Sequence, residues 1–548
     1  MITNVPNSGL FVTFAVIRFI HPMSENHKIT KAASIIGMGT FLSRIVGFLR
    51  DMVIANFFGT GMAADAFFVA FRIPNLWRRL VGEGSLTISF IPVYTEYTTQ
   101  RSEEDTRELT HIAFTIAGVV LLALTLLGIL FSPLLIRIIA PGWFARYPET
   151  FSLTVRLNQI IFPYLFFMGL FALCMGILNS LRHFFAPAIA PTFLNISIIL
   201  SVLLFYSVFE KPVMTLALGV LAGGIIQFLF QLPFLLKRGV SFRFNFNFHH
   251  PAIKRIGFLM VPGLIGTAVY QLNVFIDTIF ASFLPRGSVS YLFYADRLME
   301  FPLGIFAIAI GMASLPSLSG LASQGKIEEL KETLFFTFRL VSFISIPAMV
   351  GLIALKTPII NLLFQRGVFD YLATEMTAKA LLCYSVGLWA IAGARILAPA
   401  FYSLQDTWTP LKIALICLLA NVILIAVFIS FTPLKHAGLA LATSLSSMLN
   451  LILLFRKLGP KLGRMDLAKH IKSLLRILLC SVPMGFAVYL ICSLGNWTTT
   501  GNVIEKTLLL GAGIVVGLGV YFVCSYLMKN EEMIFLIKMG KKKIANGK

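Results

Sequence analysis

The chain has 548 residues, 57% hydrophobic and only 13% charged, with a mean hydropathy of +0.86. About a quarter of a soluble domain is charged, so these totals exclude a soluble protein, and the lack of short alternating strands excludes a membrane β-barrel. The formal net charge of +21 is first explained by Lys- and Arg-rich loops on one face of a membrane, not by nucleic acid.

At the N-terminus, "GLFVTFAVIRFI" (9–20) resembles a short signal core, yet it contains Arg18 and has no small-residue cleavage site. Met23 opens "MSENHKITKAAS", so residues 1–22 are expected to be an upstream extension within a cytoplasmic segment 1–28. Beyond it, apolar runs long enough to cross a bilayer recur to the end of the chain. They predict an all-α polytopic protein with fourteen spans, roughly 31–56, 64–94, 110–140, 153–180, 187–209, 213–236 and 252–283, then 289–319, 330–354, 374–403, 410–431, 434–456, 470–493 and 505–528. Loops on the side of the termini carry Arg101, Arg107, Lys237, Arg238, Arg243, Lys254, Arg255, Arg456, Lys457 and Lys541–Lys543, among others. The opposite loops carry far fewer, which predicts cytoplasmic termini.

Spans 1–6 and 7–12 read as two copies of one unit, an N-lobe at 29–240 and a C-lobe at 241–460. Ser180, Leu181 and Pro187 answer Ser403, Leu404 and Pro410, "DMVIANFFG" (51–59) answers "DTIFASFL" (277–284), and Pro92 answers Pro316. Six spans per copy make the repeats parallel, an arrangement that places substrate between the halves around a central cavity. Segment 461–548, with spans 13 and 14 and a basic tail, lies outside the repeat.

Charges inside the spans are then the informative residues. Asp65, Arg72, Arg79 and Glu83 are spaced 7, 7 and 4 and share one helix face, with Arg78 off that face and Pro74 able to bend it. In span 1, Gly37, Thr40, Arg44, Gly47 and Asp51 line a face with Arg50 displaced; Asn273 and Asp277 align in span 7, and Asp296, Arg297 and Glu300 cluster in span 8. A charge near the bilayer centre costs about 3 kcal/mol on insertion scales, so these residues should face a bundle interior or a wet cavity. Helix-packing ion pairs and snorkelling side chains are the competing account. The first half has more Arg than acid in its spans, which suits a phosphate-bearing or other anionic substrate. The six cysteines are scattered through apolar segments with no CxxC pair and read as buried small hydrophobes.

The strings "SRIVGFLRD" (43–51), "ADAFFVAFRIPNLWRRLVGEGSL" (64–86), "QLNVFIDTIFASFL" (271–284), "YADRLMEFPLGIFAIAIG" (294–311) and "ILAPAFYSLQDTWTP" (396–410) resemble the MurJ (MviN) lipid II flippase family, of the multidrug/oligosaccharidyl-lipid/polysaccharide exporter superfamily. The resemblance covers about residues 28–530. It implies a transporter, not an enzyme, that flips lipid-linked peptidoglycan precursor from the inner to the outer leaflet of the bacterial cytoplasmic membrane for cell-wall synthesis. It places the substrate-binding charges at Arg44, Arg50, Asp65, Arg72, Arg78, Arg79, Glu83, Asp296 and Arg297, and it gives spans 13 and 14 the polyprenyl tail. Expected partners are lipid II and membrane lipid, with the protein a monomer associated with cell-wall synthesis machinery.

No organic cofactor is expected. Asp277, Asn421 and Thr443 form a candidate sodium site, although Ile425 offers no oxygen one turn after Asn421; membrane potential acting on moving charges is the other energy source considered. Competing functions are a flippase for another undecaprenyl-diphosphate-linked oligosaccharide, a cationic-drug antiporter, which would favour an acidic cavity, and a polyprenyl-linked glycosyltransferase, which would need a larger extracytoplasmic loop.

Overall fold

The computed structural model describes residues 26–78, 86–463 and 467–546, and every regular element among them is a helix. The segment 1–22 therefore lies outside the described residues. Among the described residues, eleven helices are long and apolar enough to cross a bilayer, and they fall on expected spans 3–6 and 8–14. The three expected spans missing from that set are those carrying Arg44, Arg50 and Asp51; Asp65, Arg72 and Arg78; and Asn273 and Asp277. The first is a continuous 33-residue helix, α1 (Asn26–Phe58). The second is two helices, α2 (Met62–Trp77) and α3 (Leu86–Gln100), with 79–85 outside the described residues. The third lies in α11 (Pro251–Ala281).

The repeat read from the sequence reappears in the helix bounds. Helix α4 (Glu103–Leu130) and helix α14 (Ile327–Ala354) are both 28 residues long; their starts, 103 and 327, and their ends, 130 and 354, stand 224 apart. Each is followed by a short helix, α5 (Ser132–Ile139) and α15 (Lys356–Phe364). The second span of the later copy, α12 (Ser288–Pro302) and α13 (Ile308–Ser323), is joined by a π-helical turn at Leu303–Ala307. Arg78 of the earlier copy, also in π-helical geometry, corresponds at that offset to Pro302, the residue just before this turn. Such bulges widen a helix locally and redirect its side chains.

Local signals set the helix ends. Ser102 and Asp105 form a reciprocal capping box at the start of α4, whose first turn carries Glu103 and Glu104, so orphan N–H groups and the helix dipole are both met. Asp370 accepts the Ala373 N–H at 2.8 Å and opens the 33-residue α16 (Tyr371–Ser403).

The helices gather into two compact bodies, residues 23–290 with 367–369, and residues 291–366 with 370–548. In the first, α1 packs along α9 (Phe185–Phe205), α9 along α10 (Met214–Leu236), α2 on α7 (Pro148–Ile161), and α3 on α8 (Tyr164–Ser180) and α11. Phe90, Tyr94, Leu109, Ile177 and Leu235 fill one core there. In the second, α16 packs against α14 and α18 (His436–Leu462), and α14 also receives α19 (Leu467–Cys492), which pairs with α20 (Val503–Leu527). Phe343, Ile477, Met484 and Tyr521 share that last core, and Tyr521 Oη donates to Phe343 O at 2.7 Å. Spans 13 and 14 are thus seated on span 9, while Phe486, Leu508 and Val515 remain exposed as lipid-facing residues do.

Candidate functional site

A buried pair of opposite charges lies on α1. Arg50 is 8% exposed and Asp51 fully buried. Arg50 Nε and Nη2 donate to Asp51 Oδ1 at 2.9 and 2.5 Å, and Nη1 donates to Asn195 Oδ1 on α9 at 3.0 Å. Asn195 Nδ2 returns a hydrogen bond to Ser43 O at 3.2 Å. A guanidinium in a span is tolerable when its charge is paired and its N–H groups are directed; here both conditions are met by one carboxylate and one amide. Arg44 is half-buried, and the face predicted for α1 runs from exposed Gly37 and Thr40 to buried Gly47 and Asp51.

On α2, Asp65 and Arg72 both meet the stretch 274–290, as residues seven apart on one face should. Asp65 is 2% exposed. Its Oδ2 accepts the Gly287 N–H at 2.6 Å, and its Oδ1 accepts the Ser290 N–H at 2.8 Å and the Ser290 hydroxyl at 2.6 Å. The carboxylate therefore caps the first turn of α12, where unpaired N–H groups and the helix dipole favour an anion. Arg72 is half-buried; its Nη1 donates to Thr278 Oγ1 and, at 3.3 Å, to Val274 O on α11. Arg78 follows the end of α2 and donates from Nε to Asn75 Oδ1 at 2.8 Å. Arg79 and Glu83 lie outside the described residues.

In the second body, Asp296 and Arg297 are half-buried on α12, and Arg297 Nη1 stands 3.8 Å from Glu300 Oε2. Asn421 is fully buried on α17 (Trp408–Phe431), and Thr443 on the adjacent α18 donates its hydroxyl to Leu439 O at 3.1 Å. Asp277, half-buried, belongs to the first body. Among the described residues no group of three or more His, Cys, Asp or Glu is placed to hold a metal, and the six cysteines are free and buried or half-buried.

Sequence reasoning did not single out Gly287 and Ser290, nor three polar residues within the spans. Asn195 stands as a polar residue in the apolar run "TFLNISIIL", a signal that was there to be used. Thr278 follows Asp277 directly and carries no signal of its own. Arg339 in span 9 is the third: it is paired with Glu531 at 3.2 Å and Glu532 at 3.1 Å, and it fixes the start of α21 (Glu531–Asn546).

The arrangement holds guanidinium groups in fixed directions within membrane helices, the presentation that suits forked contact with phosphate oxygens. Residues 54–508 match the family model described as lipid II flippase MurJ. The chain is 37% identical over 518 residues to a probable lipid II flippase MurJ of Vibrio cholerae serotype O1, spanning 93% of this chain and 98% of that protein. It is also 37% identical over 420 residues to the lipid II flippase MurJ of Burkholderia cenocepacia, covering 76% and 81% of the two chains. Among solved structures it resembles a lipid II flippase MurJ in an inward closed conformation, with 29% identity, a TM-score of 0.75, and 90% and 99% of the two chains covered. A multidrug resistance MATE family transporter in an inward-facing conformation, 14% identical with a TM-score of 0.66 over 82% and 98% of the chains, shares the fold. With the family model matched over most of the chain and relatives aligned nearly end to end, this protein belongs to the MurJ lipid II flippase family.

Proposed function

We propose that this chain flips lipid II, the undecaprenyl-diphosphate-linked disaccharide pentapeptide, from the inner to the outer leaflet of the bacterial cytoplasmic membrane. The observation that carries the reading is the family match across residues 54–508. The membrane-embedded arginines support it, because the diphosphate is the group a transporter of this substrate must lead through the bilayer. Arg44, Arg50, Arg72, Arg78, Arg79 and Arg297 receive the diphosphate and sugars, with Asp65, Glu83 and Asp296 holding the basic groups and their helices in register. The polyprenyl tail stays in lipid along spans 13 and 14 while the two six-span repeats rock by alternating access. Both termini are cytoplasmic on the Lys and Arg asymmetry, and the protein works as a monomer alongside the cell-wall synthesis machinery. Sodium held by Asp277, Asn421 and Thr443, or the membrane potential, supplies the energy.

The test is translocation in proteoliposomes, with lipid II beside an undecaprenyl diphosphate that bears a different glycan. Lipid II is expected to cross faster. Arg72→Ala is expected to slow it about tenfold or more, the scale of one lost hydrogen bond to a charged group. Equal transport of both lipids would replace this reading with a flippase of broader glycan specificity.

A further inference from the structure

The connection between α10 and α11 is unlike the other loops. Residues 241–247 have no regular secondary structure, and "SFRFNFNF" (241–248) places Phe242, Phe244, Phe246 and Phe248 at alternate positions. The last three rings form one row. Phe244 and Phe246 stack with centroids 6.4 Å apart, and Phe246 meets Phe248 at 6.2 Å. The row is not packed into the protein: Phe244 is 87% exposed and Phe246 60%. Exposed apolar rows of this kind mark an interaction surface.

Helix α4 serves as a depth gauge for it. Phe242 packs edge-on against Phe114 at 4.7 Å, the Asn245 N–H donates to Thr115 Oγ1 at 2.9 Å, and Ser241 Oγ lies 2.9 Å from His111 Nε2. Thr115 stands roughly 18 Å along α4 from Glu103, at 1.5 Å per residue. The first large apolar side chains that α4 exposes are Val119 and Val120, one turn farther on. The rings thus lie at the level of the first turns of span 3, near the end of the hydrocarbon band, where water still reaches the backbone of an irregular segment.

Charge points the same way. Lys237, Arg238, Arg243 and Lys254 flank or interrupt the row and no Asp or Glu occurs from 237 to 276, while Arg255 is paired with Glu96 on α3 at 2.7 Å. We propose that the Phe244–Phe248 row is a membrane-interface anchor, inserted among the headgroups of the leaflet at which α4 begins, and that Arg243 and its basic neighbours select anionic lipid there. Aromatic rings favour this layer because it accepts an apolar body beside polar groups, and basic residues near an anionic leaflet each add attraction.

The experiment uses the full chain with Phe246→Cys carrying an environment-sensitive fluorophore, in vesicles of phosphatidylcholine alone or with phosphatidylglycerol. Phe244 and Phe246 project from the fold, so labelling there should leave the melting temperature unchanged. Nitroxide lipids labelled near the headgroup are expected to quench the fluorophore more than lipids labelled deep in the chain. Nitroxide phosphatidylglycerol is expected to be enriched beside it, and Arg243→Glu to lower that enrichment about fivefold. Water-like emission with no quenching would overturn the proposal and leave the row as a protein-docking surface. Stronger quenching by the deep label would overturn the interfacial placement, and equal enrichment of both lipids would overturn the anionic selection.

Discussion

Arg50 and Asp51 are adjacent in the chain, and their side chains close on each other while Arg50 also reaches Asn195 on another helix. Replacing one partner of such a pair leaves a buried charge without its counter-charge, which is far costlier than losing a surface ion pair. Asp406, in the loop after α16, shows a second kind of charge control. Thr409 donates its hydroxyl to Oδ2 at 2.6 Å and its N–H to Oδ1 at 2.9 Å, and Lys461 Nζ lies 2.9 Å from Oδ2. The Thr409 hydroxyl, then its N–H and Lys461, hold the Asp406 carboxyl at about 2, below its usual 3.8. A depressed folded pKa stabilises the fold fully above the unfolded value, and the contribution is lost as pH falls through the folded one. Asp406→Asn should therefore lower the melting temperature at neutral pH, and its difference from the parent should shrink between about pH 4 and pH 2. A difference that stayed constant through that window would show that the carboxylate charge does not carry the effect.

At the scale of elements, the repeat is legible because a span's polar breaks and prolines are local properties. The bounds of α4 and α14 fall at the expected offset for that reason. The close approach between elements is not local. A Cβ on Gly387 of α16 would lie 2.6 Å from Ser444 Cα on α18, so only glycine lets these helices pack so tightly, as small residues do in membrane bundles. Gly387→Ala should cost about 1–3 kcal/mol through overpacking. Gly118→Ala on α4, where nothing lies within 4 Å of the added atom, should be neutral or slightly stabilising. Paired thermal melts in detergent check the contrast; equal shifts for both would refute the packing argument.

For the whole molecule, the question left to experiment is what drives transport. If sodium drives transport, an imposed sodium gradient should speed lipid II translocation; if Asp277 helps to bind it, Asp277→Asn should remove that stimulation. Response to a valinomycin-set potential should survive the substitution. Stimulation by potential alone, with sodium without effect in the parent protein, would assign the driving force to the field acting on the moving arginines.

Composition and spacing alone determined that this is a helical membrane protein with arginine-bearing spans, because hydropathy, charge and helical periodicity are written in neighbouring residues. The strings 43–51 and 64–86 also carried the family. Tertiary structure alone decided the partners: Asp65 caps the turn at Gly287–Ser290, Arg72 turns to Thr278, and Arg50 finds Asn195. Those pairings join residues 145 to 225 positions apart, and they follow from how helices pack once lipid has removed water as the alternative hydrogen-bond partner.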